Sequence, residues 1–169
     1  MNITTKRGDQ GTTDLLLGGK ASKTSAQVEA LGAVDELSAS LGFARLELPP
    51  ELGEALATVQ EHLITLMGEL AMPAGEDESY EEKGFGRISE KEVSFLETMQ
   101  QDSGALRDWL RPGAQGGEPG ARLHLARTTA RRAERRTWAV EDAVAKPLVR
   151  IYLNRLSDLL WVLADGCGK

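Results

Sequence analysis

The stretch A-R-L-H-L-A-R-T-T-A-R-R-A-E-R-R, residues Ala121 to Arg136, spaces its small and apolar positions at intervals of three and four: Leu123, Ala126, Ala130, Ala133 and, just beyond, Thr137. That spacing is helical, because side chains three and four apart share one face. Alanine at most of these positions lets a neighbouring helix approach closely, so the helix belongs in a bundle. The same stretch holds six arginines in a chain of net charge −6. At about 100° per residue, Arg127, Arg131 and Glu134 fall beside the packed stripe, whereas Arg132 and Arg136 point away from it. The first three are expected half-buried and the last two solvated. A half-buried guanidinium without compensation costs on the order of 3–5 kcal/mol, so carboxylates or a bound phosphate should answer it. The plainer reading is a solvated arginine face whose charges sort themselves in water.

Downstream, I-Y-L-N-R-L-S-D-L-L-W-V-L, residues 151–163, is apolar almost all round, the mark of a helix buried on most sides. Its one polar seam is Asn154, Ser157 and Asp158, whose partners are expected among the arginines and Glu134 of the preceding helix. Upstream, a first helix runs from about Ser25 to Leu46, stopped by Pro49-Pro50. Its buried arc is Val28, Leu31, Val34, Leu41 and Leu46, and Asp35 projects between Val28 and Leu31, where it needs a cation. A second helix spans about Glu51 to Ala71 through Leu56, Val59, Leu63, Leu66, Met67 and Leu70. Ala74 to Gly86 is acidic and glycine-bearing and predicts a loop. Ser89 with Glu92 forms a capping box that opens a third helix through Val93, Leu96 and Met99. A glycine-rich connection to Gly120 precedes the arginine helix, expected to reach Ala143, and Pro147 begins the last one. Helices with short connections indicate an all-α, antiparallel five-helix bundle.

At 169 residues the chain is one domain: residues 1–23 form a loop and 24–165 the bundle. The single cysteine, Cys167, excludes a disulfide framework and reads as an incidental exposed thiol. His62 and His124 are isolated and read as packing or surface residues. No apolar run is long enough to span a bilayer, and M-N-I-T-T-K-R-G-D lacks a secretory apolar region. These features predict a cytoplasmic protein with no membrane partner. Net negative charge argues against a nucleic-acid binder, whereas a focused arginine patch suits a small polyanion. The first twenty-three residues, rich in Gly, Thr and Lys, could curl backbone N–H groups around phosphate oxygens, with Lys6, Lys20 and Lys23 adding charge. A short extended piece is expected at Leu15 to Leu17. The loop is not a Walker A motif, since Gly18-Gly19-Lys20 is followed by Ala21.

Together these segments resemble the PduO-type ATP:cob(I)alamin adenosyltransferases, the corrinoid adenosyltransferases. The resemblance covers nearly the whole chain. It rests on T-K-x-G-D-x-G-x-T at Thr5 to Thr13, K-x(4)-V-E-A-x-G-x-V-D-E-L at Lys23 to Leu37, H-x-A-R-x-x-x-R-R-A-E-R at His124 to Arg135, and Y-L-N-R-L-S-D-L-L at Tyr152 to Leu160. It implies a homotrimer with ATP bound between subunits and transfer of the 5′-deoxyadenosyl group to the cobalt of cob(I)alamin, with triphosphate released. Thr5, Lys6, Gly8, Asp9, Gly11 and Thr13 would wrap the triphosphate and Lys23 would add charge. Arg131, Glu134 and Asn154 would hold the nucleotide and its magnesium-bound phosphates from the helical side. Asp35 and Arg127 would pair across the subunit boundary beside the corrinoid. Arg127, Arg131, Glu134 and Asp35 would thus be the catalytic set. A corrinoid reductase and an adenosylcobalamin-dependent enzyme would be functional partners, in the cytosol or in a bacterial microcompartment.

The chain departs from the family where F-x-L-P-G-G becomes Trp109-Leu110-Arg111-Pro112-Gly113-Ala114. Trp109 would take the place of the phenylalanine that fills the space beneath cobalt, and Arg111 brings a charge into an apolar segment. Arg7 replaces a threonine in the loop. Two alternatives follow: an ATP-binding corrinoid carrier, chaperone or regulatory protein with weak or lost transfer, and a helical interaction protein whose arginine helix docks an acidic partner.

Overall fold

The computed structural model describes residues 6–103, 111–114 and 116–167. Five long helices carry the fold: α1 (Ala26–Arg45), α2 (Pro50–Leu70), α4 (Glu90–Asp102), α5 (Gly117–Thr137) and α6 (Pro147–Gly166). Between α2 and α4 lies a short helix, α3 (Asp77–Glu82). The expected bundle is present, but the acidic segment is not merely a loop. Tyr80 explains why: its ring is buried, its hydroxyl lies 3.0 Å from where a Cβ on Gly68 of α2 would stand, and that hydroxyl donates to the Gly86 carbonyl at 2.9 Å, which closes the segment on itself.

Local chemistry sets the helix ends. Ser25 accepts from the Val28 N–H, Ser89 and Glu92 form the capping box, and Pro50 and Pro147 occupy first-turn positions where no backbone donor is needed. Gly116 caps α5 with φ of +76°, and a Cβ there would stand 2.9 Å from the Ala164 carbonyl oxygen. Only glycine allows that close approach to α6. The arginine helix ends at Thr137, earlier than the expected Ala143, in a turn that leads to Pro147.

Helix α5 lies between α1 and α6, with α2 against α1 and α4 against α6. Leu123, Ala126, Ala130, Ala133 and Thr137 are all fully buried, as the spacing predicted. On α1 the buried arc is Ala30, Ala33, Val34, Leu37, Leu41 and Ala44, whereas Val28 and Leu31 are half-buried and Leu46 is exposed. The difference has a physical source: small alanines face α5, where close helix approach excludes larger groups.

Ahead of α1, β1 (Thr12–Asp14) and β2 (Lys20–Ser22) form an antiparallel hairpin pairing Thr13 with Ala21. Leu16–Gly18 makes the 3-10 turn between them, so Leu15 to Leu17 is the bend and not the extended piece expected. Cys167 is half-buried against the core rather than exposed, and burial raises its thiol pKa.

Candidate nucleotide and corrinoid site

The hairpin is fixed by the C-terminal end of α2. Leu16 N–H donates to the Ala71 carbonyl at 2.9 Å. Gln27, in the first turn of α1, sends Nε2 to the carbonyls of both Leu70 and Met72 at 2.8 Å. Gly19 lies flat on Pro73, where a Cβ would come within 2.5 Å of the proline Cγ. Ahead of β1, Asp9 N–H donates to Lys6 O and Gly11 N–H to Gly8 O, each at 3.3 Å, giving two successive tight turns. Lys6 and Gly11 take positive φ, 59° and 77°. Lys23 closes the loop, its N–H on Gly11 O at 2.9 Å and its ammonium so near Gly8 that a Cβ there would lie 3.0 Å from Nζ. Lys6, Gly8, Asp9, Gly11, Thr13 and Lys23 therefore belong to one small structure. Thr5 lies outside the described residues, as does Trp109. Arg111 is exposed.

Thr13 and Lys23 open onto a cavity of about 500 Å³ on the α1–α5 seam, walled by Glu29, Glu36, Arg132 and Arg136. Arg132 and Arg136 are exposed as expected, yet they are paired: Arg132 with Glu36, and Arg136 with Glu29 at 3.8 Å. These pairs follow the antiparallel register of the two helices. Asp35 lines an adjoining cavity of about 420 Å³ under the hairpin, with Thr13, Val28 and Leu31. Among the described residues the cation expected beside it is not found: Asp35 is exposed and makes no ion pair with any of them.

The other flank of α5 faces α6. Arg127 is half-buried, its guanidinium 4.7 Å from the Trp161 ring centroid, and its buried Nε meets no acceptor. Burial lowers its pKa and the nearby Arg131 lowers it further, so the site is electropositive. Arg131 is exposed, not half-buried, because α1 and α6 cover the helix on either side of it and leave it between them. Glu134 is half-buried and accepts from the Trp138 indole N–H at 3.2 Å. Glu134 and Asn154 share a third cavity, of about 420 Å³, with Trp138, Arg150 and Ile151. The polar seam of α6 does not reach the arginines of α5. Ser157 donates to the Asn154 carbonyl at 2.9 Å and Asn154 Oδ1 accepts from Arg155 at 3.1 Å, both within the helix.

The cavities holding Thr13, Lys23 and Asp35 share no residue with the one holding Glu134 and Asn154. Among the described residues, no group of three or more His, Cys, Asp or Glu could hold a metal ion.

Residues 3–167 match the family described as cobalamin adenosyltransferase. The chain belongs to the cobalamin adenosyltransferase family. The family's cobalamin adenosyltransferase from Cupriavidus metallidurans is 38% identical over 171 residues, spanning 96% of this chain and 85% of that protein. The corrinoid adenosyltransferase of Bacillus subtilis is 37% identical, spanning 97% and 85%. A solved variant of the PduO-type ATP:corrinoid adenosyltransferase from Lactobacillus reuteri, complexed with cobalamin and ATP, aligns with a TM-score of 0.86 at 29% identity, covering 98% of this chain and 92% of that one.

Within this adenosyltransferase family chain, two charged clusters escaped the sequence reading. Arg150, in the first turn of α6, is buried with Nη1 on Asp142 at 2.6 Å and Nη2 on the Val140 and Thr137 carbonyls at 2.9 and 3.3 Å. Glu69 is only 1% exposed, accepts from the Ile88 N–H at 2.6 Å and faces Arg87 at 3.6 Å. Their signal was weak because most of the partners are backbone groups or lie in turns.

Proposed function

We propose that this chain transfers the 5′-deoxyadenosyl group of ATP to the cobalt of a reduced corrinoid. The observation that carries the reading is family membership over residues 3–167, a span that includes every motif residue named for nucleotide and corrinoid. Cob(I)alamin attacks the ribose C5′, the C5′–O bond breaks, and triphosphate leaves with the electron pair. No side-chain nucleophile is required.

The protein's contribution is alignment, which can be worth on the order of 7–11 kcal/mol, and stabilisation of the leaving charge. Lys6, Lys23 and the N–H groups of the Gly8–Gly11 turns hold triphosphate oxygens, while Thr5 and Thr13 supply hydroxyls and Asp9 orders the loop. Arg131, Glu134 and Asn154 hold the nucleotide from α5 and α6. Magnesium, bound on the phosphates, supplies further charge neutralisation.

The two half-sites come from different copies of the chain in a homotrimer, which brings Asp35 of one copy to Arg127 of the next beside the corrinoid. Supporting this, the hairpin and α6-side cavities are separate, and burial and Arg131 both disfavour the Arg127 charge within one chain. Trp109 stands in the sequence where the family motif has phenylalanine and would serve in its place. Among the described residues no helix is long and apolar enough to cross a membrane. We place the enzyme in the cytosol or a microcompartment, supplied by a corrinoid reductase and serving an adenosylcobalamin-dependent enzyme.

The test is anaerobic mixing of the protein with magnesium-ATP and chemically reduced cobalamin. The adenosylcobalamin spectrum is the expected result. A flat trace with ATP still bound by calorimetry would instead establish the carrier reading, and Trp109→Phe should then restore turnover. Light scattering should give three times the chain mass.

A further inference from the structure

Among the described residues, Trp138 is the largest exposed hydrophobic side chain that the transfer reaction leaves without a role. It caps α5, and 63% of its surface is accessible. Exposed side chains usually sample several rotamers, but this one is held on two sides. Its indole N–H donates to Glu134 Oε1 at 3.2 Å, and the Arg150 guanidinium lies 4.6 Å from its ring centroid. Arg150 is itself immobilised by Asp142 and by the carbonyls of Val140 and Thr137. A buried, anchored cation thus backs an indole that still presents its surface to solvent.

That surface forms part of the cavity of about 420 Å³ that also contains Glu134, Asn154 and Ile151. The volume falls within the range of small-molecule sites. Its lining combines a rigid aromatic plane with an amide and a carboxylate, the chemistry that receives a flat heterocycle with polar edges. On α5, Arg127, Arg131, Glu134 and Trp138 recur at intervals of four, three and four and so share a face. Trp138 lies one turn, about 6 Å, past Glu134 and away from Arg127.

We propose that Trp138 is the stacking platform for the purine ring of ATP and a determinant of nucleotide selectivity. This rests on the reading of Glu134 and Asn154 as nucleotide-binding residues. Loss of one base–aromatic stack raises a dissociation constant about 5- to 160-fold.

Calorimetry with magnesium-ATP and with inorganic tripolyphosphate, on the unaltered protein, Trp138→Ala and Trp138→Phe, tests it. The expected result is weaker ATP binding by Trp138→Ala, at least fivefold on the scale of one lost stack, with tripolyphosphate affinity unchanged and Trp138→Phe close to the unaltered protein. Unchanged ATP affinity in Trp138→Ala overturns the proposal. So does an equal loss for both ligands, which would mean that the indole only supports Glu134 or the fold. If the unaltered protein does not bind ATP, the parent reading fails and the stacking proposal with it, a result visible before any substitution is made.

Discussion

Arg127, midway along α5, and Arg150, in the first turn of α6, each hold a guanidinium over an indole, at 4.7 Å from Trp161 and 4.6 Å from Trp138. Their surroundings differ. Arg150 has both terminal nitrogens bonded, to Asp142 and to two carbonyls from the turn after α5. The buried Nε of each lacks an acceptor, but Arg127 gains no such terminal bonds from the described residues to offset it, and burial and Arg131 both oppose its charge. Burial of an arginine alone therefore does not identify its role. On the proposed reading, Arg150, bonded within its own chain, is a structural tie, whereas Arg127 is held for a group outside the chain.

The sharpest way to break this comparison is to remove Arg127. Arg127→Ala should lower kcat by roughly 10²–10³-fold, the cost of one preorganised charge-stabilising donor, while its thermal midpoint stays level or rises. A large loss of stability would place Arg127 with Arg150. The converse holds for Arg150→Ala, which should lose about 3 kcal/mol in urea unfolding because it strips a buried, bonded charge and leaves its partners unmet.

A smaller effect should appear with pH. His124 is buried, and burial, then the charge of Arg127, holds its pKa below the ordinary value against a weaker pull from Asp165. The folded state therefore prefers neutral imidazole. Stability should be steady above about pH 6.5, the unfolded value, and should fall as pH drops below it. His62, also lowered by burial, adds in the same direction. Urea midpoints between pH 7.5 and 5.5 measure this. Arg127→Ala should make the decline shallower and His124→Gln should remove its share. The smallest change is expected at the α1–α5 seam, where Arg132→Gln breaks an exposed pair with Glu36 and should cost less than about 1 kcal/mol. A loss several times larger would show that this seam too depends on its charges.

Periodicity made the bundle legible, since the stripe from Leu123 to Thr137 is buried throughout. It did not make Arg131 legible. A helical wheel gives an angle but not which neighbours cover it, and α1 and α6 flank Arg131 without reaching over it. The hairpin was hidden because its strands are three residues each and its anchors, Ala71 and Pro73, lie far along the chain, just past α2. Tyr80 was hidden within an acidic run, so α3 read as loop. The motifs named both halves of the candidate site, and Lys23 beside Gly8 accords with that reading. The partner of Asp35 could not be found in any single chain if, as proposed, it stands on another copy.

Co-expression of two impaired variants tests that claim most directly. Asp35→Ala and Arg127→Ala chains, each strongly impaired alone, should form mixed oligomers in which some sites combine an intact Asp35 with an intact Arg127, and adenosylcobalamin formation should rise well above either parent. A mixed preparation no more active than either parent, with mixed oligomers verified by mass, would contradict a site built from Asp35 of one copy and Arg127 of the next.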